Sequence, residues 1–571
     1  MKIRLSSFFV VFLNAALLFA FGFLRPASAQ SSPNAPRAFA LTNARIVTGV
    51  GADIERGTVI VRDGLIVAVG AGNLQVPVDV RVIDASGLTI YPGIVDASAV
   101  TGIPAPRPPQ QPAGGGGGQN IAALLLQQQQ AQQSQSNSTY PAGLQPEISA
   151  VDLIRTSEAS IETARNSGFT TVLVVPRERI FQGQSALVNL SGETPAEAIV
   201  RAPVALHIQL VPLQTGQFPN SLMGSFAAVR QMFLDAQQLQ EAQRNYERNP
   251  RGTRRPDSNK SLEALFPYLS RQPSAQAPVV FQANSEREIA RVLNFAREFN
   301  LKAIIAGGTE SARFVEQLKA QNIPVLLSLN FPRRTASASP EADPENLNVL
   351  RARVDAPKTA GRLAAAGVRF AFQSGGMANY SDFWSNAGKT VQAGLPKPAA
   401  IRAMTLSSAE IFGVSDRMGS IEPGKIANLT VVRGDIFDRS RAVTHVFVDG
   451  RMYEIPAGSP TSTAGGAASG AAAQAITGKW NLTMQLGGQT VQATLTLTPQ
   501  RNQLTGQFES SLGNAPLSQG EITAEGFRFV VKLTVGEMVD AIFAGRVTGD
   551  QMSGTVTTPQ GTSSFTGTKT P

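Results

Sequence analysis

The chain has 571 residues, two histidines, no cysteine and a formal net charge of +9. Without cysteine there is no disulfide framework, no thiolate metal site and no cysteine nucleophile. At 42% hydrophobic and 16% charged residues the length predicts more than one core. Lys2, Arg4 and Arg25 carry three of the positive charges ahead of any acid, so +6 remains beyond residue 29; with no basic stripe interleaved with aromatics, a nucleic-acid surface is not expected.

The N-terminus orders Lys2 and Arg4, an apolar run from Phe8 to Leu24, and Ala27-Ser28-Ala29 before Gln30. This predicts a secretory signal peptide over residues 1–29 and export to a periplasm or outside the cell. The run is short for a bilayer span, and no later segment is apolar enough for one, so no stable membrane span is expected after cleavage.

Residues 38–90 hold short β-branched runs around a tight Asp63-Gly64 turn, the pattern of a small antiparallel sheet. A related pattern returns over 413–455, in the run from Met418 to Val432 and in Val446-Phe447-Val448-Asp449-Gly450-Arg451. Between them, residues 91–412 open with Tyr91-Pro92-Gly93-Ile94-Val95-Asp96-Ala97-Ser98-Ala99-Val100.

Residues 102–143 are dominated by Pro, Gly and Gln, including Gly114 to Gly118 and Gln127 to Gln130. They read as a low-complexity insertion, with a Gln-rich interaction segment as the alternative. Apolar strands are then expected at 167–175, 204–210, 278–284, 303–309, 324–328 and 368–373, and a long helix at 226–246. Repeated βα units with near-continuous apolar strands mean a parallel sheet covered on both faces. Residues 456–475 form a Gly/Ala/Ser linker by composition, and 476–571 alternate as a separate small antiparallel β-barrel or sandwich, with Trp480 plugging its core.

From residue 39 to 453 these ordered motifs resemble the amidohydrolase superfamily, and most closely its imidazolonepropionase-like and prolidase-like members. The resemblance implies an α/β fold: a (β/α)8 TIM-like barrel over 91–412, flanked by a composite β-sandwich from 38–90 and 413–455. It also implies hydrolysis of C–N bonds with one or two divalent metals.

In that family the first strand ends Pro-Gly-x-x-Asp-x-His-x-His, and here Ser98 and Val100 occupy the histidine positions. A Val-His-Ala-His-like strand end corresponds to Phe281-Gln282-Ala283-Asn284. A Glu-His-Gly-Thr-like end corresponds to Ala306-Gly307-Gly308-Thr309, and a Gly-Thr-Asp-like end to Gln373-Ser374-Gly375. Serine, glutamine and asparagine are poor zinc ligands, and valine and glycine offer no side-chain donor, so no metal ligand set and no cofactor are expected.

Asp96 survives in its motif, where hydrogen bonding near the strand end is the plain reading. His207 is either a lone acid/base group pointing into the barrel or a core histidine, the latter being favoured. Both are weak candidates for catalysis. His445 reads as structural, and Ser98 lacks the Gly-x-Ser-x-Gly setting of a serine nucleophile.

The favoured reading is therefore an exported homologue that has lost metal-dependent hydrolysis. It would bind a small polar ligand or peptide through Ser98, Gln282, Asn284, Gln373 and Ser374, or pair with an active amidohydrolase or with itself. The alternative is an active hydrolase of amide, peptide or cyclic amide bonds with a non-standard site.

Overall fold

The computed structural model describes residues 38–104, 140–332, 345–455 and 476–570, except 73, 142, 177–178, 193, 214–217, 376, 378–379, 439, 487–488, 501–502, 511–512, 524–525, 536 and 559–560. The expected signal peptide, most of the Gly/Pro/Gln insertion and the 456–475 linker lie outside the described residues. Among the described residues no helix is long and apolar enough to cross a membrane.

β1 (Ala38–Ile46), β2 (Ile54–Arg62) and β3 (Leu65–Ala71) form an antiparallel meander. Arg62 and Leu65 pair across a turn in which Asp63 and Gly64 have φ of 50° and 84°. Positive φ at both central residues matches the twist of the flanking strands. β4 (Arg81–Asp84) and β5 (Leu88–Pro92) run parallel to β1, and β5 hands the chain straight to β6 (Ile94–Ala99).

β6 pairs in parallel with β7 (Phe169–Val174). The chain then departs from the expected βα alternation. β8 (Phe181–Gln184) and β9 (Ala186–Asn189) form one run broken at Ser185, and β10 (Ile199–Arg201) pairs antiparallel with β9. β9 lies antiparallel to β7, and β8 antiparallel to β11 (Leu206–Gln209). A parallel return needs a crossover of a dozen or more residues, usually a helix, whereas among the described residues the only helix between β7 and β11 is the four-residue Pro195–Ala198.

β11, β12 (Val279–Ala283), β13 (Ala303–Gly307), β14 (Val325–Ser328) and β15 (Phe370–Gln373) follow in parallel order. Ser185 ties the four- and six-stranded sheets together, donating its N–H to Ala205 O and accepting from Val204 N, both at 2.9 Å. On the far side, the Ser374 N–H at the end of β15 donates to Asp96 Oδ1 of β6 at 2.9 Å.

The strands divide their side chains between two cores. Val279, Phe281, Ile305, Leu327 and Phe372 pack in the large cluster that includes helix residues such as Ile289 and Phe295. The alternate residues Val280, Ile304, Ala306, Leu326 and Ala371 form a second cluster with Val95, Ala97 and Leu187, reaching Phe412 and Met418.

β16 (Leu429–Arg433), β17 (Ala442–Val448) and β18 (Arg451–Glu454) return to the first sheet, β16 pairing antiparallel with β5. The order is β18-β17-β16-β5-β1-β2-β3, with β4 on β1. This junction explains the glycine of the Pro-Gly motif. Gly93 N donates to Asn428 O at 2.7 Å, and a Cβ on Gly93 would stand 2.4 Å from Thr170 Oγ1 and 2.6 Å from Asn428 Cβ. Asn428 in turn donates to Thr171 Oγ1 and Asn189 Oδ1 at 3.1 and 2.9 Å, locking the first sheet onto the α/β region.

The C-terminal sheet comprises β19 (Gly478–Leu486), β20 (Gln489–Gln500), β21 (Gln503–Ser510), β22 (Gly513–Pro516), β23 (Ser518–Thr523), β24 (Gly526–Val535), β25 (Glu537–Thr548), β26 (Gln551–Thr558) and β27 (Gly561–Lys569). All its pairings are antiparallel. They run in a ring, because β19 pairs with both β20 and β27, β20 pairs with β21, and β21 meets β23 at Gln503 and Glu521. The separate domain is thus a near-barrel with its own core of Trp480, Phe508, Phe529, Phe543 and Phe565. Trp480 is fully buried, and its Nε1–H donates to Ile476 O at 3.0 Å.

Candidate functional site

The C-terminal ends of the parallel strands carry neutral polar side chains. At β6 the Asp96 carboxyl is fully buried: Oδ1 accepts the N–H groups of Ser374 at 2.9 Å and Ser98 at 3.2 Å, while Oδ2 has no partner. Burial pushes its pKa up to about 6, because the two N–H donors offset only part of the desolvation of the anion. Ser374 Oγ reaches Ser98 O at 3.4 Å, so Asp96, Ser374 and half-buried Ser98 form one brace between β6 and β15. The hydrogen-bonding role expected of Asp96 is what its geometry provides.

A second group sits at β12 and β13. The helix Glu286–Glu298 begins with a capping box in which Ser285 and Glu288 exchange hydrogen bonds. Glu288 Oε2 also accepts Asn284 N at 2.7 Å, while Asn284 O accepts from Glu310 N at 3.0 Å and its Oδ1 accepts from Thr309 Oγ1 at 3.2 Å. Asn284 is therefore fixed by backbone and side chain, yet exposed, with half-buried Gln282 on the same strand. In strand register Gln282 pairs with Gln209 and Ala306, and Gln182 Nε2 donates to Gln209 Oε1 at 3.3 Å.

Gln373 does not behave as a pocket residue. It is 2% exposed, and its Nε2 donates to Leu326 O at 2.6 Å, so that nitrogen is spent on holding adjacent strands. Ser374 is likewise buried in the Asp96 brace. Of the expected pocket set, Gln282, Asn284 and Ser98 keep exposed surface.

His207 lies on β11 in register with Gly183 and Val280. It is 2% exposed, its Nε2 has no partner, and desolvation pushes its pKa down to about 3. The ring is thus a neutral group in the core, apart from the strand ends. His445 lies on β17 of the first sheet, in register with Val431 and Glu454, with Nδ1 3.1 Å from Thr444 Oγ1.

A divalent ion of the kind the family resemblance implies does not fit the residues at its expected ligand positions. Among the described residues no three of His, Cys, Asp and Glu converge. The backbone at two of these positions is also in the positive-φ region. Gly307 has φ of 92°, and a Cβ on it would lie 2.2 Å from Asn284 Oδ1 and 2.8 Å from Gln282 Nε2. Gly375 has φ of 61°, with Ser328 Oγ at 2.3 Å from where its Cβ would be. Side chains at positive φ are strained whatever the space, so these two positions are moulded around glycine and filled by their neighbours.

Sequence reading missed Gln182, whose strand β8 was not foreseen, its partner Gln209 at the end of the expected strand β11, and Ser328 and Thr309, which carry no ligand chemistry. The alternation of Phe181, Gly183 and Leu187 with Gln182 and Gln184 was the available signal.

No curated protein matches the chain. Among solved structures, an amidohydrolase from Thermotoga maritima MSB8 is 23% identical, with a TM-score of 0.59 over 73% of this chain and 100% of its own; it shares the fold. A Xaa-Pro dipeptidase with methionine in its active site (15% identical, TM-score 0.43) and a structure described as a prolidase from Bifidobacterium longum (16%, TM-score 0.41) are looser likenesses, each over 73% of this chain and 100% and 95% of their own. The profile of the Amidohydrolase family matches residues 148–453, more than half of the chain. With that match, the Pro-Gly junction and the ordered strand ends, this chain belongs to the amidohydrolase family.

Proposed function

We propose that this is an exported amidohydrolase-family protein whose parallel strands close as a barrel that binds a small polar ligand or peptide without metal-dependent hydrolysis of a C–N bond. One observation carries the reading: at Gly307 and Gly375, where the family resemblance places a histidine and an aspartate, the backbone is left-handed and Asn284, Gln282 and Ser328 fill the side-chain space. The surface left at the strand ends is Gln282, Asn284 and Ser98, groups that donate and accept hydrogen bonds without charge. Export rests on the order of residues 1–29, and a mature N-terminus at Gln30 in the secreted or periplasmic fraction is its test.

Elemental analysis of untagged protein purified without chelator, after growth with zinc, manganese and iron, tests the main reading. The expected content is below about a tenth of an equivalent of any transition metal, whereas near one equivalent overturns it. Gly307→His is expected to gain no metal, because its backbone and neighbours leave no room for the ring. Co-purification of an active amidohydrolase would extend the reading to a partner subunit.

A second reading, an active hydrolase, is favoured by Asp96 alone, a buried carboxyl with one unpartnered oxygen and a pKa near neutrality. Against it, both N–H donors to Asp96 come from the brace between β6 and β15. Amide hydrolysis abolished by Asp96→Asn in a stably folded variant would install this reading.

A further inference from the structure

We propose that the C-terminal near-barrel carries a binding groove for an acidic, polyhydroxylated chain, such as a polyuronate segment. An open groove of about 440 Å³ crosses β19, β27, β26 and β25. It lies on the outer face, since Trp480 and Leu482 are buried while Asn481 and Thr483 between and beyond them are exposed.

Strand register aligns its lining in rungs. Thr483 pairs with Thr566, Thr566 with Ser553, and Ser553 with Arg546; below them Asn481 pairs with Thr568, and Thr568 with Gln551. The rungs thus present hydroxyls and carboxamides, each a donor and an acceptor, at the spacing of strands. Arg546 has no acid partner among the described residues, so its guanidinium keeps its bidentate face for a carboxylate.

Two glycines set the strand spacing beside the groove. Gly545 and Gly554 are directly paired, and Cβ atoms there would lie 2.5 Å from Ser553 O and 2.2 Å from Ala544 O. Only glycine allows β25 and β26 to close up at this point, and the residues that follow and precede them, Arg546 and Ser553, line the groove. No aromatic ring lines it, so hydrogen bonds and charge rather than stacking would hold the chain.

Titration of the full chain with oligogalacturonate tests the proposal, with a carboxyl-reduced oligosaccharide and polyglutamate as comparators. Saturable binding is expected, about ten-fold or more weaker for Arg546→Met, the scale of one charge-assisted hydrogen bond. Both comparators are expected to bind more weakly by a similar factor, and Thr566→Val, which keeps the charge, to weaken sugar binding measurably. Absence of saturable binding, unchanged binding by Arg546→Met, or polyglutamate binding as tightly as the sugar overturns it.

Discussion

The α/β region and the C-terminal sheet are both made of strands with alternating sides, yet they bury different chemistry. The C-terminal core is entirely apolar where it is described: Trp480, Phe508, Phe529 and Phe543 meet there, with the Phe529 and Phe543 rings stacked at 5.0 Å. The α/β region buries Asp96 and His207, each with an unpartnered polar atom. An unpaired buried polar atom costs about 1–3 kcal/mol. The contrast separates a domain with an apolar interior from one whose interior also holds two ionisable groups.

The sharpest break of that comparison is Trp480→Ala, expected to cost the C-terminal domain about 3–5 kcal/mol. Two-probe unfolding should show that transition moving alone; a joint shift of both transitions would mean that the two regions share their stability.

Next comes acid. The folded pKa of His207 lies below its unfolded value, so its contribution is present above pH 6.5 and lost as pH falls toward 3. Between pH 6.5 and pH 4 this amounts to about 3 kcal/mol. Urea midpoints of His207→Gln should lack that acid slope, and an unchanged slope would remove His207 as its source.

Asp96 acts in the opposite sense. Its folded pKa is raised, so its contribution is present below pH 3.8 and lost as pH rises through about 6. The loss amounts to about 2 kcal/mol between pH 4 and pH 8. Asp96→Asn should flatten that segment of the curve, and hydrogen exchange at the Ser374 amide reports whether the brace survives.

The smallest effect is expected at Gly375→Ala, about 1–2 kcal/mol from a positive φ and contact with Ser328. Pairing it with Ser328→Gly should recover the contact part alone. Full recovery would mean that the backbone there is not constrained.

The parts of the fold that were legible in sequence are those set by short-range pattern. The Asp63-Gly64 hairpin, the parallel apolar strands at β11 to β15 and the alternating C-terminal strands all follow from residue type and period. β8 and β9 escaped because Phe181 to Asn189 has neither a continuous apolar run nor a helix before it, and its place depends on Ala205 meeting Ser185 from twenty residues away. At the site, the absence of histidine from these strand ends was legible. That Gln373 is spent on Leu326 was not, because nothing local distinguishes a glutamine facing a pocket from one facing a neighbouring strand.

Residue identity alone therefore determined which donors are missing: the chain has no cysteine, and its two histidines lie at none of the positions where the family resemblance implies a metal ligand. Only the tertiary structure decided what took its place. The positive φ of Gly307 and Gly375, the hydrogen bond from Thr309 to Asn284 Oδ1, and the desolvation that raises Asp96 and lowers His207 all depend on segments distant in sequence packing together.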